Sequence, residues 1–111
     1  MASRGRGAAQ RGANYERRVV GYLADQFGLR AERIRSGRST DAGDIVWPGS
    51  RWLLDAKSQQ RWSVDRWFTE AESEAAAEGV LPAIVLARPG TTDVGRSLLV
   101  VRLSDAGDLL T

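Results

Sequence analysis

Asp44, Asp55 and Lys57 are the residues whose types and spacing can do chemistry in this chain. They lie in Asp-Ile-Val-Trp, then Pro-Gly-Ser, then Arg-Trp-Leu-Leu-Asp-Ala-Lys, which reads as two short strands joined by a tight turn. In Trp47-Pro48-Gly49-Ser50 the proline presets φ at the second turn position, and the glycine tolerates the positive φ required at the third. Alternate residues of a strand share a face, so Trp52, Leu54 and Ala56 point one way while Leu53, Asp55 and Lys57 point the other. At a rise of ~3.3 Å per residue, Asp55 and Lys57 sit ~6.6 Å apart along the strand. That is too far for an ion pair unless the lysine reaches back, and it leaves room for a water or a phosphate oxygen. The hairpin also carries Asp44 toward the end of the second strand. Two carboxylates and an ammonium gathered in this way can hold Mg²⁺ and a scissile phosphate.

The hydrophobic pattern supplies the elements that must position them. A helix is expected from Asn14, a candidate N-cap, to a stop at Gly28, with Val19, Val20, Tyr22, Leu23 and Phe27 forming one apolar stripe. Glu16 precedes Val20, Leu23 and Phe27 by helical spacings, so an acid begins the face that should enter the core. Unpaired, it would be costly there; the other reading has it in the first turn, reaching solvent and favouring the helix dipole. Gly21 costs the helix about 1 kcal/mol relative to alanine and can mark a close approach to another backbone or a subunit. Residues 31–35 read as a strand with Ile34 buried between arginines. Residues 36–43 are a polar loop whose hydroxyls and Arg38 can touch a phosphate backbone, or which simply connects.

A second helix is expected from Val64 to Glu78, capped by Ser63 and stopped at Gly79, with Val64, Trp67, Phe68, Ala71 and Ala75 facing a sheet. Its outer face is assigned Glu70, Glu72, Glu74 and Glu78, acids that would repel a polyanion. Residues 81–88 form an apolar run expected of a strand covered on both faces, residues 97–103 a last strand, and residues 104–109 one helical turn. The result is an α/β chain in the order α-β-β-β-α-β-β, a mixed central sheet flanked by helices. It forms a single domain over residues 13–111, preceded by a flexible basic arm over residues 1–12 whose arginines suit phosphates.

Composition narrows the chemistry. The 111 residues suffice for one domain with a modest core. With no cysteine, disulfides, thiolate metal sites and thiol catalysis are excluded; with no histidine, so are Ser-His-Asp mechanisms and histidine-ligated zinc. No apolar run approaches the roughly 20 residues of a membrane span, and a soluble cytoplasmic protein is expected. Residues 1–38 hold nine arginines against Glu16, Asp25 and Glu32, whereas the rest of the chain holds seven basic and eleven acidic residues. Such polarity suits a protein with one face on a polyanion.

Glu16 on the first helix, then Asp44, then Asp55-Ala56-Lys57, in an α-β-β-β-α-β order, resembles the PD-(D/E)XK nuclease superfamily over nearly the whole chain after the arm. Within it the chain is most similar to the small archaeal-type and viral Holliday junction resolvases. The phrases that carry this are Gly12-Ala13-Asn14-Tyr15-Glu16-Arg17, Arg35-Ser36-Gly37-Arg38-Ser39 and Asp55-Ala56-Lys57-Ser58. Gly43 stands where the superfamily pattern has proline, and Asp55 where resolvases commonly have the longer glutamate.

The resemblance implies a restriction-endonuclease-like core and a homodimeric, Mg²⁺-dependent endodeoxyribonuclease, with Mn²⁺ as a substitute, that resolves branched double-stranded DNA at four-way junctions by paired hydrolysis. It makes Asp44 and Asp55 metal ligands together with the Ala56 carbonyl, and Glu16 a further ligand, directly or through water. Lys57 would orient or deprotonate the attacking water, and Ser36 or Ser39 would position the phosphate. Arg4, Arg6, Arg11, Arg35, Arg38, Ser58 and Gln59 would contact DNA. Trp47, Trp62 and Trp67 are available for a dimer interface or for the core. Other readings are a nuclease of this superfamily acting on flap, single-stranded or duplex DNA, and a non-catalytic DNA-binding dimer of the same fold.

Overall fold

The turn chemistry of the central hairpin is realised in full: the Ser50 N–H donates to the Trp47 carbonyl at 2.9 Å and Gly49 takes φ +77°. The structure is a computed structural model that describes residues 2–35 and 43–111, with side chains described over 11–34 and 44–111. Its elements are α1 (Ala2–Phe27), β1 (Glu32–Arg35), β2 (Gly43–Val46), β3 (Trp52–Lys57), α2 (Val64–Glu78), β4 (Leu81–Leu86), β5 (Leu98–Val100) and α3 (Gly107–Leu110), with 3-10 turns at Val94–Arg96 and Leu103–Asp105.

The five strands form one mixed sheet in the order β1-β2-β3-β4-β5. All pairings are antiparallel except β3 with β4, which α2 joins as a crossover between parallel neighbours. Strand alternation divides the side chains between the two faces. Ile45, Leu54, Ala56, Ala83 and Val85 pack with Tyr15 and Val19 of α1, while Ile84 and Leu86 pack with Trp67 and Ala71 of α2. The helices therefore lie on opposite faces of the sheet. The core of α2 follows the expected stripe, and Gly79 closes the helix at φ +70° with its N–H returned to the last turn. Ser63 makes no side-chain cap; only its carbonyl is used, by the Trp67 N–H at 3.0 Å.

Three expectations change. Residues 2–12, read as an arm, are helical, and α1 begins at Ala2 and not at Asn14. Ala8, Ala9, Gln10 and the arginines favour helix and no proline interrupts them, so a helix anchored by Tyr15 and Val19 extends back through this segment. Phe27 is not in the stripe: it is 64% exposed and meets Tyr22 edge-on, while Tyr15 fills the core and donates from its hydroxyl to Ser97 Oγ at 2.7 Å. A methyl group at Gly21 would meet nothing within 4 Å, so among the described residues no other part of the chain approaches it closely. Among the described residues, no helix is long and apolar enough to cross a membrane.

Candidate metal centre

Asp44 and Asp55 are partners in the β2–β3 register, so both side chains leave the sheet on the same face. That face is the one covered by α2, because Asp55 is also level with Ile84, which packs under Trp67 and Ala71. From α2, Glu74 comes down onto the pair. Carboxylate oxygens of Asp44, Asp55 and Glu74 all lie within 4.8 Å of one another. Asp44 and Asp55 are each 1% exposed, and Glu74 is half-buried.

Lys57 completes the group. Its Nζ reaches back to 3.6 Å from Asp55 Oδ2, closer than an extended strand alone would bring it, and lies 5.8 Å from the centre of the Trp67 ring. Trp67 is thus a core residue beneath the lysine, Trp47 packs against the α1 cluster, and of the three tryptophans only Trp62 is exposed.

The acids are poorly served by the protein itself. Asp44 Oδ1, both oxygens of Asp55 and Glu74 Oε2 are buried without a hydrogen-bond partner. Burial pushes the Asp44 carboxyl up to about 8; Glu74, by hydrogen bond and by charge, and Asp55 add to the rise, against Lys57. Burial likewise lifts Asp55 to about 6, held back by Lys57 and raised further by Glu74. A site with two buried acids, a third half-buried and one ammonium carries uncompensated negative charge, which a proton or a divalent cation can offset. Its donors are all hard oxygens, the set that Mg²⁺ and Mn²⁺ prefer. The residues therefore fit such an ion. Ala87 N–H bonds to the Lys57 carbonyl at 2.9 Å, so by alternation the Ala56 carbonyl turns away from β4 to the side of β2.

Glu16 is elsewhere. It is 2% exposed, as its place in the apolar stripe implied, but it receives Arg33 Nε at 2.6 Å on the face that α1 covers. Arg33 is level with Ile45 and not with Asp44, so its ion pair with Glu16 is separated from the acid cluster by the sheet. The third acid of the cluster is Glu74, which the sequence reading had placed on the outer face of its helix. The signal was present: Glu74 lies three residues after Ala71 and seven after Trp67, both buried, and so shares their side of α2.

Ser36, Arg38 and Ser39 lie outside the described residues. Arg4, Arg6 and Arg35 are placed only by their backbone, in α1 and β1. Arg11 is exposed on α1, and Ser58 and Gln59 follow directly on Lys57; these three line one shallow cleft. Compared with protein-family models, curated proteins and solved structures, the chain matches none.

Proposed function

We propose that the chain is a divalent-metal-dependent phosphodiesterase acting on nucleic acid, a nuclease of the PD-(D/E)XK type with a restriction-endonuclease-like core. Within that class, the sequence phrases around Glu16, Ser36 and Lys57 favour a homodimer that cuts four-way DNA junctions by paired nicks. One observation carries the class: β2 and β3 set two buried carboxylates opposite each other, with orphaned oxygens, and Lys57 on the same face. As core residues alone, such groups would be destabilising.

Asp44, Asp55 and Glu74 would hold Mg²⁺ or Mn²⁺, with the Ala56 carbonyl as a further donor. Lewis-acid activation of a water and of a phosphoryl oxygen is the chemistry such an ion supplies when bound. Lys57, held beside Asp55, would offset negative charge gained by a phosphate at the cluster and orient or deprotonate the attacking water. Because the chain has no histidine, proton acceptance falls to the carboxylates and the lysine. A four-way junction offers two strands related by a two-fold axis, and a second copy of the chain supplies the matching second site.

The test is to incubate the protein with a synthetic four-way junction and a matched linear duplex, in Mg²⁺ and in chelator. Mg²⁺-dependent nicking of the junction in preference to the duplex is expected. Equal cutting of both substrates would remove the junction reading and leave the nuclease. Absence of metal-dependent cutting of any DNA would remove both.

A further inference from the structure

The cluster of acids is not the only concentration of polar side chains at this end of the sheet. Arg11 and Arg18 of α1 and Arg88 beyond β4 converge on a cleft with Ser58, Gln59 and Thr91, and among its described lining residues there is no aspartate or glutamate. It sits where β3 and β4 end. Lys57 is level with Leu86, and the Ala87 N–H bonds to the Lys57 carbonyl, so the cleft is continuous through the backbone with the strand that carries Asp55 and Lys57. The carboxyl ends of parallel strands are where open α/β sheets bind ligands.

The three arginines differ in how they are held. Arg18 donates from Nη1 to the Thr92 carbonyl at 3.1 Å, and its guanidinium lies 5.8 Å from the centre of the Tyr15 ring, so it is fixed in place. Arg11 and Arg88 are exposed, and among the described residues neither has an acidic partner, whereas Arg33, Arg51 and Arg102 all pair with acids. Two unneutralised guanidinium groups, a third held in place, and hydroxyl and amide donors between them are the complement of a run of phosphates and not of a single anion.

We propose that this cleft is the track for the phosphodiester backbone of nucleic acid, flanking the phosphate held at the acid cluster. Arg11 and Arg88 make the phosphate contacts, and the fixed Arg18 sets the wall between them. The inference rests on the nucleic-acid reading above and names the surface by which that substrate is held.

The test uses the full chain and fluorescently labelled duplex and junction DNA, with Ca²⁺ in place of Mg²⁺, and follows anisotropy over a range of KCl concentrations. Each of Arg11→Ala and Arg88→Ala should weaken binding of both DNAs and make the slope of log affinity against log salt shallower by about 1. Arg51→Ala, at the other end of β3, should leave the slope unchanged. Thermal melting with and without Mg²⁺ should be the same for wild type, Arg11→Ala and Arg88→Ala, which separates lost contacts from lost folding. A wild-type slope in a double variant carrying both Arg11→Ala and Arg88→Ala overturns the track, even if the wild-type protein cuts DNA. Shallower slopes in the variants of a protein that cuts no DNA uphold the track and overturn the nuclease. Absence of any DNA binding by wild type overturns both.

Discussion

Asp44 and Asp55 face each other across the β2–β3 pair, both 1% exposed, and neither oxygen of Asp55 has a hydrogen-bond partner. Core packing gives no reason for two buried acids side by side, while a shared cation does.

Replacing Asp55 with asparagine removes a charge from that pair with little change in shape. Metal-dependent cutting should fall by more than the roughly 10–100-fold that loss of an outer-shell partner costs at a metal site. Binding of DNA should be largely retained, because the cleft arginines are untouched. Nicking rates and anisotropy measured on the same preparations check this; unchanged turnover would exclude Asp55 as a ligand.

Glu74 and Glu16 should separate cleanly. Glu74→Gln should weaken Mg²⁺-induced thermal stabilisation, read as a rightward shift of the Mg²⁺ titration by about tenfold or more. Glu16→Gln should leave that titration in place and destabilise the fold by about 1–3 kcal/mol, since Arg33 loses the carboxylate it binds at 2.6 Å. Urea unfolding and Mg²⁺-dependent melting of the two variants provide the comparison.

The metal-free protein should lose stability as pH rises. The carboxyls of Asp44 and Asp55 are raised in the fold from 3.8 to about 8 and about 6. Below 3.8 they are protonated in both folded and unfolded chains, so their contribution is fully present; it is lost progressively as pH rises from there, and is gone once pH has passed about 6 for Asp55 and about 8 for Asp44. Melting temperatures in chelator should therefore fall across that window, and Mg²⁺ should restore them most at the alkaline end. Asp44→Asn should flatten the profile in chelator.

The hairpin turn offers a control for register. Gly49 has φ +77°, so Gly49→Ala should cost about 1–2 kcal/mol of stability through the left-handed backbone alone. Because this turn holds Asp44 level with Asp55, the Mg²⁺ titration should weaken along with the fold, unlike in Gly28→Ala, where the strained position, at φ +68°, lies just beyond α1, the helix on the other face of the sheet. Denaturant midpoints and Mg²⁺ titrations of the two variants distinguish these cases.

The hairpin, the bounds of α2 and the convergence of Asp44, Asp55 and Lys57 were all legible in the sequence, because turn residues and strand alternation are local properties. Glu74 was misread because the acids of α2 were grouped by charge and not by angle around the helix. The apolar stripe pointed Glu16 toward the core while its first-turn position left solvent open, and no local pattern says which face of a sheet a helix will cover; that depends on how α1 meets strands distant in sequence. The extent of α1 was missed for a related reason, since the packing of Tyr15 and Val19 that anchors it is tertiary.

The three acids of the cluster come from β2, β3 and α2, which succeed one another along the chain. Loop closure between such neighbours is short, so bringing the three carboxylates together needs only one hairpin and its following helix. The fasteners from α1 are of the opposite kind, with Tyr15 joined to Ser97 across 82 positions of sequence. The three acids are thus drawn from one contiguous stretch of chain, whereas the N-terminal helix is fastened by contacts that span most of the chain's length.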